Sequence, residues 1–91
     1  MPELQVKKED IAKVSKALGS STRWEILRLL KDKKQDVSRI AEILNQTEAN
    51  ISAQIKILER AGLIKSHYEP GEHGVRKVCE LAVDKIIITI D

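Results

Sequence analysis

Apolar residues recur at helical spacing in four successive segments of the first two thirds of the chain. The first predicted helix covers residues 7–18 and ends at Gly19, because glycine commonly closes a helix. The second begins at a Ser/Thr cap within residues 20–22 and ends among the lysines of residues 31–34, whose charges suit a helix C-terminus. Each helix has one apolar stripe, so both are expected to pack on a shared core.

The next two segments predict a helix-turn-helix over about residues 36–61. Asp36 is the expected N-cap of its first helix, and Thr47 is the expected N-cap of its second. Asn45 between them can take the left-handed conformation that ends a helix. Gly62 ends the second helix, whose apolar stripe is formed by Ile51, Ile55 and Leu58.

The period changes after Gly62 to one that is typical of strands. Residues 63–69 and 75–81 are rich in strand formers and flank the turn cluster EPGEHG, which predicts a β-hairpin over 63–81 with a loop of about five residues. The tail, residues 82–91, is either a strand or a short helix, and its β-branched residues favour the strand. An edge this apolar requires a covering element.

Helices, a helix-turn-helix and a following hairpin predict a winged helix, a mainly α fold of the α+β class, as a single domain over residues 1–91. Two motifs resemble the ArsR-type winged helix-turn-helix transcription regulators: LGSSTRWEILRLL at 18–30 and TEANISAQIKILERAGLI at 47–64. The resemblance covers roughly residues 10–81. It implies a homodimeric regulator that binds double-stranded DNA, and it favours repression over activation. The Lys/Glu/Ile-rich composition also suits a protein of a thermophile.

The sequence departs from the family pattern in three places. The heavy-metal sensors of the family carry paired cysteines on the helix before the recognition helix, and residues 37–44 contain neither cysteine nor histidine. Metal sensing at that position is therefore not expected, and the effector stays unknown. The C-terminal dimerisation helix of many members is replaced by IIITID. On the recognition helix, Ala53 and Gln54 stand where the family often has a basic residue and histidine, so the target sequence is open.

The second helix of the helix-turn-helix places Ala49, Ala53, Lys56 and Arg60 opposite its core stripe. The alanines either allow close approach to a major groove or are simply good helix formers. Asn50 and Gln54 can each pair with adenine, whereas lysine and arginine further along suit phosphates. Arg76 and Lys77 flank Gly74 at the expected tip of the hairpin, which either contacts DNA or is a solvated turn. Arg23 either touches the DNA backbone or holds an ion pair. The predicted DNA-binding residues are Ser38, Arg39, Thr47, Ala49, Asn50, Ala53, Gln54, Lys56, Arg60, Arg76 and Lys77.

A chain of 91 residues buries only about 60 to 65% of its unfolded surface when it folds alone, which favours a partner subunit. The apolar faces of residues 7–18 and 82–91 are the predicted dimerisation segments. The interface residues expected there are Ile11, Val14, Leu18, Ile86, Ile88 and Ile90.

Net charge weakens the expectation of DNA binding, because 16 Lys and Arg stand against 14 Asp and Glu. The alternative is a winged helix that acts as a protein–protein interaction module. One cysteine excludes an internal disulfide, and no secretory h-region or membrane-length apolar run is present, so a soluble cytoplasmic protein is expected.

Candidate chemistry is sparse. His67, His73 and Cys79 are the only soft metal ligands, and His67 and Cys79 can face each other across the hairpin, yet no metal-binding spacing is present. Cys79 is more simply a small buried hydrophobe, and Trp24 a packing residue. There is no phosphate-binding loop and no Ser-His-Asp set, so no catalytic residue, metal or cofactor is expected.

Overall fold

The computed structural model describes residues 2–91, so the first residue of the predicted domain lies outside it. Four α-helices precede a long hairpin, and short strands flank both parts. In chain order the elements are β1 (Glu3–Gln5), a 3₁₀ turn (Lys8–Asp10), α1 (Ile11–Leu18), α2 (Ser21–Leu29), β2 (Gln35–Asp36), α3 (Val37–Leu44), α4 (Glu48–Arg60), β3 (Ile64–Gly71), β4 (Gly74–Leu81) and β5 (Lys85–Ile87).

Side-chain caps begin three of the helices as the sequence predicts. The hydroxyl of Ser20 accepts from Arg23 N at 3.3 Å, the carboxylate of Asp36 from Arg39 N at 2.7 Å, and the hydroxyl of Thr47 from Asn50 N at 3.1 Å. Each bond satisfies an amide that the helix itself leaves free.

Three predicted helix ends are confirmed and one is wrong. Gly19 is the C-cap of α1. Asn45 closes α3 with a φ of 54°, and Gly62 follows α4 with a φ of 78°, a conformation that costs a glycine little. The end of α2, however, comes at Leu29 rather than among lysines 31–34, because a turn over residues 30–33 already redirects the chain toward β2.

One apolar cluster forms the core between the helices and the hairpin. Ile51, Ile55 and Leu58 of α4 are completely buried in it, as the predicted stripe requires, together with Ile26 of α2 and Ile40 of α3. Truncating such a side chain to alanine typically costs about 2 to 5 kcal/mol. The core therefore fixes which face of α4 points outward.

The hairpin of β3 and β4, called the wing below, is longer and tighter than predicted. Its strands pair from Ile64↔Leu81 to Gly71↔Gly74, so only Glu72 and His73 remain in the turn. The expected five-residue loop is wrong because Pro70 stays in the ladder, where an edge strand tolerates its missing N–H. The positive φ of Gly74, 109°, allows the tight turn.

Two short strands were not anticipated. β2 pairs antiparallel with β4 and makes the wing a three-stranded sheet in the order β2-β4-β3. β1 pairs parallel with β5, with Leu4 opposite Ile86. The tail thus contains the favoured strand, and β1 is the covering element that its apolar edge requires.

Candidate nucleic-acid interface

The outward face of α4 contains the residues that the helical wheel predicts. Ala49, Asn50, Ala53, Lys56 and Arg60 are exposed, while the core stripe is buried. Thr47 is exposed at the start of the helix and uses its hydroxyl as the N-cap. This face combines small residues in the first two turns with cations in the last two.

Arg23 is hydrogen-bonded to neutral acceptors and forms no ion pair, so its expected role in an ion pair is wrong. Its guanidinium donates to the carbonyl oxygens of Lys16 and Ala17 at 2.6 and 2.9 Å, at the end of α1. It also donates to Oε1 of Gln54 at 2.6 Å, across 31 residues of sequence. These three acceptors join α1, α2 and α4 through one side chain.

Gln54 continues a run of hydrogen-bonded amides along α4. Its Nε2 donates to Oδ1 of Asn50 at 3.1 Å, and Nδ2 of Asn50 donates in turn to Oε1 of Gln46. Nε2 of Gln46 then donates to the hydroxyl of Thr22 at 3.3 Å. Both predicted base-reading amides are therefore members of one hydrogen-bonded chain.

The start of α3 also faces α4. The Ser38 hydroxyl donates to the Glu48 carboxylate at 2.7 Å, and Arg39 pairs with Glu42 one turn along its own helix. Glu48 is not among the residues predicted for the interface. As an acidic residue in the first turn of α4, it favours helix formation. Ser38 and Arg39 thus each have an acidic partner within the chain.

The wing carries its basic residues away from the tip. The turn itself is Glu72 and His73, and Arg76 lies two residues into β4, so the expected placement of Arg76 and Lys77 at the tip is wrong. Consecutive residues of a strand point to opposite faces. Arg76 accordingly bonds Asp36 and Glu69, whereas Lys77 bonds Glu59 of α4 at 3.1 Å.

Arg76 links the wing to the start of α3. Its guanidinium donates to Oε1 of Glu69 at 3.1 Å and to Oδ2 of Asp36 at 3.0 Å, and these hydrogen bonds, that with Glu69 first, raise the pKa of Arg76 above its ordinary value. The same contacts act on Glu69, whose pKa is lowered first by the hydrogen bond with His67 and next by that with Arg76. We call Asp36, Glu69, Arg76 and His67 the wing latch.

The register of the hairpin keeps the three candidate metal ligands, His67, His73 and Cys79, apart from one another. Cys79 pairs with Ser66, whose hydroxyl lies 3.4 Å from its sulfur, and His67 pairs with Val78, so the expected facing of His67 and Cys79 is wrong. Cys79 is completely buried, which confirms its interpretation as a small hydrophobe and raises the pKa of its thiol. Within residues 2–91, no group of three or more His, Cys, Asp or Glu could hold a metal ion.

The predicted dimer residues divide into exposed and buried ones. Ile11, Ile88 and Ile90 are exposed, whereas Leu18 and Ile86 are half-buried against the core. Val14 is only 1% exposed, so it belongs to the core of the single chain and offers no surface to a partner.

Trp24 is 52% exposed, so its interpretation as a packing residue is wrong. It lies in the first turn of α2, about one turn before the buried Leu27. Among residues 2–91, no helix has the length and apolarity needed to cross a membrane.

Comparisons with known proteins agree with this geometry. Residues 20–66 match the family model described as the bacterial regulatory protein, arsR family. The chain is 33% identical over 86 residues to an uncharacterized HTH-type transcriptional regulator from Methanocaldococcus jannaschii, a match that spans 93% of this chain and 96% of the relative.

Two solved structures are similar over most of the chain. A transcriptional regulator homologue from Pyrococcus horikoshii has 32% identity and a TM-score of 0.64, over 80% of this chain and 75% of that one. The homodimeric winged helix-turn-helix DNA-binding domain of a possible ArsR-family regulator from Mycobacterium bovis has 28% identity and a TM-score of 0.71, over 81% of this chain and 65% of that one. This protein therefore belongs to the ArsR family of winged helix-turn-helix transcriptional regulators, a family of DNA-binding regulators and not of enzymes.

Proposed function

We propose that the protein binds a specific double-stranded DNA site as a homodimer and represses transcription there. The observation that carries this proposal is the exposed face of α4, on which small residues and amides precede cations. In this proposal Ala49 and Ala53 let the helix approach the floor of a major groove closely, and the exposed Asn50 and the half-buried Gln54 read base edges.

Phosphate contacts follow from position along the helix. Lys56 lies about 9 Å and Arg60 about 15 Å beyond Asn50 along the axis of α4. Cations that far along the helix from the base-reading end are suited to phosphates of the DNA backbone. Such contacts fix the register of the protein on DNA without reading the base sequence. Ser38 and Arg39, at the start of α3, and Thr47, at the start of α4, add further phosphate contacts in this proposal.

The wing supplies a second contact in this proposal. Arg76 exchanges one of its two carboxylates for a phosphate, and its 49% exposed side chain leaves room for that exchange. Lys77 contributes less, because it is 21% exposed and pairs with Glu59.

A homodimer would place two copies of α4 in successive major grooves of a roughly palindromic site, about 34 Å apart. The homodimeric Mycobacterium bovis domain supports this arrangement. A dimer bound over a promoter blocks access of the transcription machinery, and this is the sense in which we propose repression in the cytoplasm.

The test is a fluorescence-anisotropy titration of a random-sequence duplex at several salt concentrations. We expect affinity to fall steeply with salt, with a slope of about −0.9 for each phosphate contact in log–log form. The double variant Lys56→Ala/Arg60→Ala should lower affinity and reduce the slope by about 2.

Lys31 and Lys33, both exposed in the turn after α2, provide the matched control. Lys31→Ala/Lys33→Ala removes two cations that lie outside α4 and the wing and should leave the slope unchanged. Absence of any duplex binding at low salt contradicts the proposal, and so does an equal effect of the control.

The alternative, a protein–protein interaction module, has one structural feature in its favour. Several basic side chains of the interface are neutralised within the chain: Arg39 by Glu42, Arg76 by Asp36 and Glu69, and Lys77 by Glu59. That reading requires Lys56→Ala/Arg60→Ala to leave binding to random duplex unchanged.

A further inference from the structure

A chain of side-chain hydrogen bonds leads from the start of α2 to α4 and back. Asn50 and Gln54 are one turn apart on α4, and Gln46 lies four residues before Asn50, just ahead of the helix, so the three amides follow one another. Arg23 contacts the last amide and Thr22 the first. We call Gln46, Asn50 and Gln54, bracketed by these two residues, the amide ladder.

The chemistry of Arg23 gives the ladder a direction. A guanidinium has only donors, so Gln54 must present its oxygen to Arg23 and its NH₂ group to Asn50. Asn50 must then accept through Oδ1 and donate through Nδ2 to Gln46, which donates to the Thr22 hydroxyl. Thr22 can accept or donate, so Arg23 is the one member whose chemistry forbids the reverse direction.

We propose that Arg23 is a positioning residue that sets which base pairs Asn50 and Gln54 prefer, by fixing the orientation of their amides. This inference rests on the proposed DNA-binding function and adds to it a residue that reads no base itself. Arg23 is well held for this role, because two of its donors are anchored on the carbonyl oxygens of Lys16 and Ala17.

Fixed amides distinguish base pairs that free amides do not. Each ladder amide keeps one N–H and one oxygen lone pair for an outside partner. Adenine offers the acceptor N7 beside the donor N6, so it matches an amide in one orientation and opposes the flipped one. Guanine offers two acceptors, N7 and O6, and a fixed amide satisfies only one of them. A locked ladder therefore favours A·T in a given strand direction.

The variant Arg23→Met removes the donors but keeps a long side chain. Arg28→Met is the matched control, because Arg28 is an exposed arginine in the last turn of the same helix and its loss changes charge equally. Gln54→Met is the second variant, because it interrupts the ladder while leaving the bonds of Arg23 to α1 in place.

Three measurements are made on the full chain. Side-chain NH₂ signals of Asn50 and Gln54 in the free protein are followed by NMR for hydrogen-exchange protection. Affinity for a random-sequence duplex is measured by anisotropy. Base preference is obtained by selecting bound sites from a randomised duplex pool and comparing affinities for the selected site and its single-base variants.

We expect Arg23→Met to bind random duplex as Arg28→Met does, and to lose about tenfold of the discrimination at one or more half-site positions. Protection of the Gln54 and Asn50 NH₂ groups should fall in Arg23→Met, and that of Asn50 in Gln54→Met. If Arg23→Met unfolds, the inference is supported by loss of Asn50 protection in Gln54→Met together with lost discrimination at a second half-site position, besides the one that Gln54 itself would contact.

Unchanged base preference in folded Arg23→Met, or unchanged Asn50 protection in Gln54→Met, overturns the inference while leaving the proposed function intact. A much weaker affinity of Arg23→Met for random duplex than Arg28→Met also overturns it, because Arg23 would then be a phosphate contact. Failure of the wild-type protein to bind any duplex contradicts the proposed function itself, whatever the NMR signals show.

Discussion

Single side chains of the candidate interface are engaged within the chain before any DNA is present. Arg23 donates to three acceptors, Arg76 to two carboxylates, and Lys77 to Glu59. The exposed ion pairs of Arg76 contribute little stability because solvent screens them, so exchanging a carboxylate for a phosphate costs little. The main effect of these contacts is that the interface side chains are already oriented before DNA binds.

Cys79 yields a prediction about reactivity. The thiol is completely buried and burial raises its pKa, so the thiolate that reacts with disulfide reagents is scarce and inaccessible. We expect labelling by Ellman's reagent at pH 8 to be about 100-fold slower in the native protein than in guanidinium chloride, because it requires an opening of the fold. Similar rates in the two conditions would contradict the burial of Cys79.

At the scale of elements, the wing latch predicts a pH dependence. Bonds from His67 and then Arg76 lower the pKa of Glu69 below its ordinary 4.5, so the unfolded chain holds this proton more tightly than the folded one. The stability contributed by the latch is therefore present above pH 4.5 and is lost as pH falls through the lower folded pKa. NMR titration of the Glu69 carboxyl carbon should give a midpoint below 4.5.

Substitution of His67 and of Arg76 tests which contacts lower the pKa of Glu69. His67→Asn and Arg76→Ala should each move the Glu69 midpoint toward its ordinary value, the first by more than the second. Arg28→Ala lies outside the latch and serves as control. A wild-type midpoint at or above 4.5 would show that the latch does not form in solution.

Helices were predictable from sequence and the smallest strands were not. The helical stripes, the caps at Asp36 and Thr47, and the stop at Gly62 are local signals that act within one or two turns. β1 and β2 contain three and two residues, too few to show a period. They exist because β5 and β4, distant in sequence, offer backbone partners, and that information is tertiary.

The same division applies to the candidate site. Periodicity predicted which residues of α4 are exposed, because a buried stripe fixes the opposite face. It did not predict that Arg23 contacts Gln54, 31 residues away, or that Arg76 contacts Asp36, 40 residues away. The ladder is visible in sequence only as amides at a spacing of four, a pattern that acquires meaning once α2 is known to lie beside α4.

At the scale of the whole molecule, the wing extends the chain to 50 Å in length against 23 and 21 Å in the other directions. Ile88 and Ile90 follow β5, and they are 47% and 97% exposed. Because β1 pairs with β5 and leads through the 3₁₀ turn to α1, exposed Ile11 belongs to the same terminal part of the fold. We propose this surface, formed by Ile11, Ile88 and Ile90, as the dimer interface.

Replacement of Ile88 by lysine tests that placement. A charge introduced into an apolar interface must be desolvated without a partner, so Ile88→Lys should shift the protein toward monomer by at least about tenfold in dissociation constant. Val75→Lys, at an exposed residue near the wing tip, is the matched control and should leave the dimer intact. Sedimentation equilibrium over a concentration series measures the dissociation constants of both variants.

Because two linked copies of α4 bind a palindromic site far more tightly than one, the Ile88→Lys variant should also lose affinity for a full site while a single half-site is bound as before. An unchanged mass for Ile88→Lys, or equal dissociation of Val75→Lys, places the interface elsewhere on the chain.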